Sequence, residues 1–312
     1  MSVTPGSLPS CPPLPSTGIA LWLGWLACKI KAASIRTYMF GIHRWHLELN
    51  LPSPIQGNEF VWATWRGIKR FQGQTAAEIG NAPAHREPIT AGILAQIQKR
   101  LNLRARSQAT RWAAYTMGTF ALLRISEFTV PNDYAPSDIN FKPLVLRWRN
   151  IEWYNQDGKR IIMIDGSFPE EPTEYRLLLP ASKTDPFRKS VTIRVFTPMA
   201  VEALRNLAEL VGQNMGYNDP IFINGVTRCP YTRSQLIDAL RRDLENCGLQ
   251  SSRYNGHSFR RGGAQTLAEA GISEDVIKLM GRWLSDAYLL YIKTPPEVIR
   301  AAGLAMEPDR LV

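Results

Sequence analysis

Residues 256–271 read GHSFRRGGAQTLAEAG, and the local pattern opens a helix. Ala264, Leu267 and Ala268 recur at helical spacing on one side. His257 and Arg260 are three apart, so at a helix start they point the same way, near N–H groups that favour an anion. A surface His and Arg would account for those two residues, but not for two glycines directly after a double arginine. Further along, residues 281–291 read GRWLSDAYLLY and put Tyr288 and Tyr291 on one short helix. Upstream, residues 119–128 read TFALLRISEF, where Arg124 ends a strongly apolar helix and Glu127 follows one turn on. That pair suits a snorkelling Arg with an i, i+3 ion pair, or an Arg held by its own carboxylate with its guanidinium fork aimed at a phosphate. Two tyrosines on one helix are commonly packing residues. One becomes a nucleophile only where cations stabilise its phenolate, and Arg124, Arg260 and a lysine would supply such a field.

The rest of the chain organises around these clusters. Residues 1–16 hold five prolines among Ser, Thr and Gly and are expected to form a disordered leader. Helices are expected over 20–31, over 34–49 with Ser34 as its cap, and over 59–71. Ile35, Tyr38, Met39, Ile42, Trp45 and Leu49 would form one buried stripe, and Val61, Trp62, Trp65, Ile68 and Phe71 another. Residues 17–80 thus read as an all-α domain, and 81–88, with Pro83 and Pro88, as a linker. Beyond it lie helices over 90–101 and 107–123, then short β-like runs over 144–153, 160–164, 175–179 and 190–196, with a Lys-, Asp- and Pro-rich turn at 181–189. Helical pattern returns over 198–213, 232–247, 258–270, 273–280, 285–292 and 296–306. The second domain, 89–312, is therefore mainly helical with a small antiparallel sheet near its start.

Composition limits the class of function. The chain has 312 residues, 45% hydrophobic and 21% charged, values of a folded globular protein of about two domains. A net charge of +10 points to a polyanionic partner, with nucleic acid ahead of an anionic membrane surface. Cys11, Cys28, Cys229 and Cys247 are scattered, with no CxxC pair and no His at finger spacing. They predict free thiols in a reducing compartment and neither a zinc site nor a disulfide framework. The longest apolar run, 18–28, is too short to span a bilayer, and the first 17 residues lack the basic n-region of a secretory signal. An intracellular location is expected.

Taken in order, these residues resemble the tyrosine recombinases, the phage-integrase family. The family pattern is an Arg with an acidic residue three on, a Lys in a β-hairpin, His-x-x-Arg, a His or Trp after a glycine, and a nucleophilic Tyr. Here it matches Arg124 with Glu127, Lys183 in LLLPASKTDPFRKSVTI, His257 with Arg260, Trp283 in GRW, and Tyr291. HSFRRGGA and GRWLSDAYLLYI are most similar to the recombinases of Crypton transposons and DIRS-type retroelements. The gap from Trp283 to Tyr291 is eight, one shorter than usual, so Tyr288 stays open as an alternative nucleophile.

The resemblance implies a two-domain DNA clamp: an all-α core-binding domain and an α+β catalytic domain. It implies a site-specific recombinase or integrase that cleaves and rejoins double-stranded DNA through a 3′-phosphotyrosine, with no metal and no cofactor. Arg124 and Arg260 would hold the non-bridging oxygens, His257 would assist and Lys183 would protonate the leaving 5′-oxygen. Trp283 would donate its indole N–H and pack the site, and Tyr291 would attack. Arg66, Lys69, Arg70, Arg104, Arg106, Arg188, Lys189, Arg241 and Arg242 are candidates for contacts to the DNA backbone, as are Arg147 and Arg149. A homo-oligomer is implied, a dimer on one site and a tetramer in synapsis, with the C-terminal helix docking in trans. A nuclear location goes with the mobile-element resemblance. A catalytically silent DNA-binding derivative and a type IB topoisomerase-like nicking-closing enzyme are the competing readings.

Overall fold

The structure is a computed structural model that describes residues 15–78, 86–135, 145–180, 190–283 and 289. The chain divides into two compact units, Met1–Ala84 and His85–Val312. The first contains α1 (Ser16–Ala27), α2 (Ala32–Glu48) and α3 (Glu59–Glu78). Ile19, Leu23 and Leu26 of α1 meet Ile35 and Met39 of α2, with Val61 of α3 and Ile55 closing the core. Burying side chains of this size is worth about 1.5–3 kcal/mol each.

Ser34 does not cap α2, which starts two residues earlier. Gln72 makes this start possible: its Oε1 accepts from Ala32 N at 2.8 Å, and its Nε2 donates to Ala27 O and Ile30 O at 3.0 Å each. The α1–α2 corner is thus satisfied from α3, and no capping hydroxyl is required. The expected stripes are narrower than periodicity suggested. Tyr38, Trp45, Leu49 and Phe71 are exposed, Phe71 by 69%, because only three helices share this core. His46 is buried instead, its Nδ1 2.9 Å from Ile42 O.

The second unit is mainly helical with a small antiparallel sheet. In order it contains α4 (Ala91–Gln98), α5 (Arg106–Phe120), α6 (Ile125–Phe128), β1 (Ile151–Tyr154), β2 (Arg160–Ile161), β3 (Glu174–Leu179), β4 (Val191–Val195), α7 (Pro198–Val211), α8 (Arg233–Glu245), α9 (Gly256–Glu269) and α10 (Glu274–Met280). The strand order is β2-β1-β3-β4, and Leu179 pairs with Val191 at the end of β3 and β4 from which their connection leaves. Two strands are shorter than expected. Trp148–Asn150 form a 3-10 turn, closed by Arg147 N donating to Asn150 Oδ1 at 2.9 Å, so β1 begins at Ile151. After Ile161 the chain turns at Asp165 and Gly166, both with positive φ.

Helix α5 is buried almost all round and packs against α7, α8 and α9. Tyr115 stacks on Phe259 of α9, ring centroids 5.7 Å apart, and Phe128 meets Phe259 edge-on at 5.8 Å. Arg111 Nε and Nη2 donate to Asp243 at 3.0 and 3.1 Å, and Tyr115 Oη donates to the same carboxylate at 2.9 Å. That buried network ties α5 to α8.

The RRGG run divides four tasks. Arg260 turns inward and is 2% exposed. Arg261 Nη1 reaches Arg86 O at 3.0 Å. A Cβ at Gly262 would overlap the backbone of Ile89, and one at Gly263 would overlap the carbonyl of Thr119 on α5. The two glycines therefore let α9 lie directly on α5 and on the segment leading to α4, whose Ile89 N donates to Ser258 O at 2.9 Å. This close packing carries Arg260 to the end of α5.

Candidate active site

Two helix C-termini converge there. Helix α5 does not run to Arg124 as its apolar sequence suggests; it stops at Phe120. Leu122 takes a left-handed backbone (φ +47), Leu123 N donates to Gly118 O at 3.0 Å and Leu122 N to Thr119 O at 3.2 Å. This is a Schellman closure with leucine where glycine is usual. Helix α10 ends the same way: Arg282 is left-handed (φ +56), Trp283 N donates to Lys278 O at 3.1 Å and Arg282 N to Leu279 O at 3.0 Å. Both closures leave carbonyls pointing away from their helices, at the negative ends of the helix dipoles, where cations are stabilised.

Arginines take up those carbonyls. Arg260 Nη1 donates to Leu122 O at 3.0 Å and Nη2 donates to Gly281 O. The Arg260 guanidinium lies over the Trp283 ring, Cζ 4.2 Å from the centroid, a cation–π contact in a largely desolvated setting. A Cβ at Gly281 would overlap that indole, so the glycine before Arg282 gives the ring its place. Trp283 also packs with Leu122, Ala264 and Ile277.

Arg124 is the residue before α6. Its backbone N donates to Glu127 Oε2 at 2.9 Å, and its Nη1 donates to Glu127 Oε1 at 2.8 Å. The short helix thus folds the carboxylate back onto both ends of the arginine, and Glu127 is 2% exposed on its side chain against 19% for Arg124. Arg124 Nε and Nη2 have no partner among the described residues, so one edge of a rigidly held guanidinium is available to an anion.

Arg282 was not expected here. Its Nη2 donates to Glu127 Oε2 at 3.1 Å and to Leu122 O at 3.3 Å, and its Nη1 to Ala121 O at 3.3 Å. Glu127 therefore bridges Arg124 and Arg282, and Leu122 O is shared by Arg282 and Arg260. Burial draws the Arg282 guanidinium below the ordinary arginine range; Glu127 opposes that shift and the Arg124 charge adds to it. The result is two guanidinium groups on one carboxylate, with a third joined through Leu122 O, a net positive site before any substrate charge is counted. The only signal in the sequence was the position of Arg282 between Gly281 and Trp283.

The remaining expected residues divide into placed and unplaced. His257 lies exposed in the first turn of α9, where Asn255 Oδ1 accepts from His257 N at 2.9 Å. Neighbouring Gly256 packs so tightly on Ile125, next to Arg124, that a Cβ would clash. Lys183, Arg188 and Lys189 fall in the connection between the paired strands β3 and β4, and Tyr288, Tyr291 and the helix expected over 296–306 follow α10 in sequence; all lie outside the described residues. In the first unit, Arg66, Lys69 and Arg70 line one groove on α3 with Trp65 and Gln74. Lys69 Nζ sits 5.8 Å from the Trp65 centroid, and Arg66 pairs with Glu59. Arg104 and Arg106 are exposed at the start of α5. Arg241 pairs with Asp238 at 3.6 Å on α8, and Arg242 lines a depression with Arg111 and Gln235. Arg147 and Arg149 instead bond Asn218. Among the described residues no group of His, Cys, Asp and Glu could hold a metal ion, and no helix is long and apolar enough to cross a membrane.

No protein-family model matches the chain, and no curated protein matches it. Solved structures do. The Tn1549 transposon integrase, in complex with circular-intermediate DNA, superposes with a TM-score of 0.54 at 12% identity over 96% of this chain and 87% of that one. XerH site-specific recombinase, bound to its palindromic difH substrate in a post-cleavage complex, gives 0.56 at 13% identity over 94% and 73%. The fold is that of the tyrosine recombinases. Within that fold the arginine cluster lies where α5, α6, α9 and α10 meet, and the β3–β4 connection carrying Lys183 belongs to the same unit.

Proposed function

We propose that the chain is a site-specific DNA recombinase or integrase of mobile-element origin that cleaves and rejoins duplex DNA through a 3′-phosphotyrosine. The observation that carries this reading is the arginine cluster: Arg124 fixed by buried Glu127 with an open edge, and joined to Arg260 through Arg282, which shares Glu127 with the first and Leu122 O with the second. A phosphodiester under in-line attack develops charge on its non-bridging oxygens, and fixed guanidinium groups in a partly dry site stabilise it without reorganisation. Arg124 takes those oxygens through its open edge, and Arg260, buried with Nη1 on Leu122 O and Nη2 on Gly281 O, takes its share by exchanging a carbonyl for the phosphate. Trp283 holds the Arg260 plane, and His257 on the exposed first turn of α9 hydrogen-bonds the phosphate or assists proton transfer.

Tyr291 supplies the nucleophile. Its phenolate oxygen forms the bond to phosphorus as the bond to the 5′-oxygen breaks, and Lys183 gives that oxygen its proton. The phosphotyrosine keeps the bond energy, so a 5′-hydroxyl from a partner duplex reverses the step. No step calls for a metal or for ATP. Basic residues including Arg66, Lys69, Arg70, Arg104, Arg106, Arg188, Lys189, Arg241 and Arg242 hold the DNA backbone. Protomers assemble on paired sites, with the segment after Tyr291 docking on a neighbour, in the nucleus of the host.

A nicked suicide duplex tests this, incubated with protein in EDTA and resolved on a denaturing gel. The expected result is a covalent adduct that survives in Tyr288→Phe and is lost in Tyr291→Phe. The reverse pattern moves the nucleophile to Tyr288. DNA binding without any adduct overturns the enzymatic reading in favour of a binding-only protein, and plasmid relaxation without recombinants favours nicking and closing.

A further inference from the structure

Arg282 has no task in the cleavage scheme, yet three features make it costly. Its left-handed backbone (φ +56) costs a non-glycine residue about 1–2 kcal/mol. Its side chain is only 14% exposed, and its buried Nε finds no hydrogen-bond partner among the described residues. It also adds a third cation beside Arg124 and Arg260. Stability alone does not favour such a residue, because a buried ion pair is commonly replaced by apolar side chains at no loss. Local strain of this kind concentrates at functional sites.

What Arg282 does is occupy acceptors. Glu127 has two oxygens: Oε1 takes Arg124 Nη1, while Oε2 takes Arg124 N and Arg282 Nη2. Without Arg282, the carboxylate is free to turn and grip the Arg124 guanidinium through both oxygens, since Arg–carboxylate pairs favour bidentate geometry. That grip would use the guanidinium edge that now has no protein partner. Leu122 O, shared with Arg260, ties the second arginine to the same spacing.

We propose that Arg282 is a positioning residue for strand cleavage: by holding Glu127 Oε2 and Leu122 O, it keeps the open edge of Arg124 free for the phosphate and sets the distance from Arg124 to Arg260. This role rests on the cleavage reading. Arg282 does not touch the reacting atoms; it decides how Glu127 divides itself between two arginines.

The test uses the whole 312-residue chain in three forms: wild type, Arg282→Gly and Glu127→Gln/Arg282→Gly. Glycine relieves the left-handed strain and so offsets part of the cost of breaking the Arg282–Glu127 pair; thermal unfolding of both variants establishes that they are folded at the assay temperature. Single-turnover adduct formation on the nicked duplex should fall by about 10²-fold in Arg282→Gly, the scale of losing one preorganised element of charge stabilisation. Duplex affinity, dominated by many phosphate contacts elsewhere, should change by less than about threefold. Replacing Glu127 by Gln in that background removes the competing negative charge and should restore about tenfold of the rate, a recovery that a purely structural defect would not show. Adduct formation by Arg282→Gly within about threefold of wild type, or a loss that Glu127→Gln leaves unrepaired, overturns the role. Wild-type protein that binds duplex but yields no adduct overturns the cleavage reading itself, and that outcome is visible in the first lane.

Discussion

Replacing Glu127 by alanine removes the acceptor of three hydrogen bonds: from Arg124 N at 2.9 Å, Arg124 Nη1 at 2.8 Å and Arg282 Nη2 at 3.1 Å. The carboxylate is 2% exposed, and its partners are 19% and 14% exposed, so water reaches the stranded guanidinium groups poorly. Breaking a buried pair from one side costs about 3–5 kcal/mol, chiefly through the charge left behind. For a unit of this size each kcal/mol moves the thermal midpoint by about 2–4 °C, so a fall of roughly 6–20 °C is expected. Glutamine keeps one acceptor and the shape but loses the charge, and should cost about 1–3 kcal/mol. Thermal unfolding followed by far-UV circular dichroism and tryptophan fluorescence reads this, since Trp112, Trp148, Trp153 and Trp283 all lie in the second unit. In an Arg282→Gly background the cost of Glu127→Ala should shrink by about 0.5–3 kcal/mol, the usual size of coupling between contacting residues. A Glu127→Ala midpoint within about 2 °C of wild type would refute the reasoning, because the two arginines would then not depend on their shared carboxylate.

Three further outcomes follow from the packing. Gly263→Ala drives a methyl into the Thr119 carbonyl and should cost at least about 1–3 kcal/mol in urea unfolding; an unchanged midpoint would mean that α9 and α5 do not lie in contact there. Asp243→Asn leaves Arg111 without its charged partner and should cost about 3–5 kcal/mol, while Tyr115→Phe, which removes one hydrogen bond to the same carboxylate, should cost only about 1 kcal/mol; equal effects would contradict this ranking. Arg194 first, then Arg176, hold the Glu174 carboxyl below the usual carboxylate range against the opposing effect of its burial. A folded-state pKa lowered in this way contributes stability that is complete above the unfolded value of about 4.3 and is lost as pH falls through the folded one. Glu174→Gln should therefore flatten the acid limb of the stability profile, and an unchanged limb would count against the pairing.

What could be read from the sequence follows the range of the forces involved. The apolar periods of α7, α8 and α9, the alternation of β3 and β4, and the Arg124–Glu127 pair at i, i+3 are local, and their residue types state them directly. The second unit accordingly has the mainly helical architecture with a small antiparallel sheet that its pattern predicts. The misses have distant causes. Ser34 looks like a cap, but Gln72, 40 residues away, satisfies the start of α2. Tyr38 and Phe71 fit a helical stripe, but a three-helix core is too narrow to cover them. The apolar run FALL at 120–123 predicts a longer α5, while the closure at Leu122 uses a left-handed leucine that no propensity favours.

Arg282 shows the same limit at the site itself. Arg282 stands in the GRW run with Gly281 and Trp283, and nothing local gives it a task in a chain with a charge of +10. Its meaning depends on two Schellman closures, one at each helix end, whose outward carbonyls become visible only when α5 and α10 are brought together by the glycine contacts of α9. Once they meet, the charge of Arg282 becomes a local quantity. It sits on a buried carboxylate already claimed by Arg124, and the division of that carboxylate sets how much positive charge faces an incoming phosphate. The surplus that composition reports for the whole chain is thus tuned in the site by a single acid shared between two bases, and changing the acid or the second base should alter the reactivity of the first.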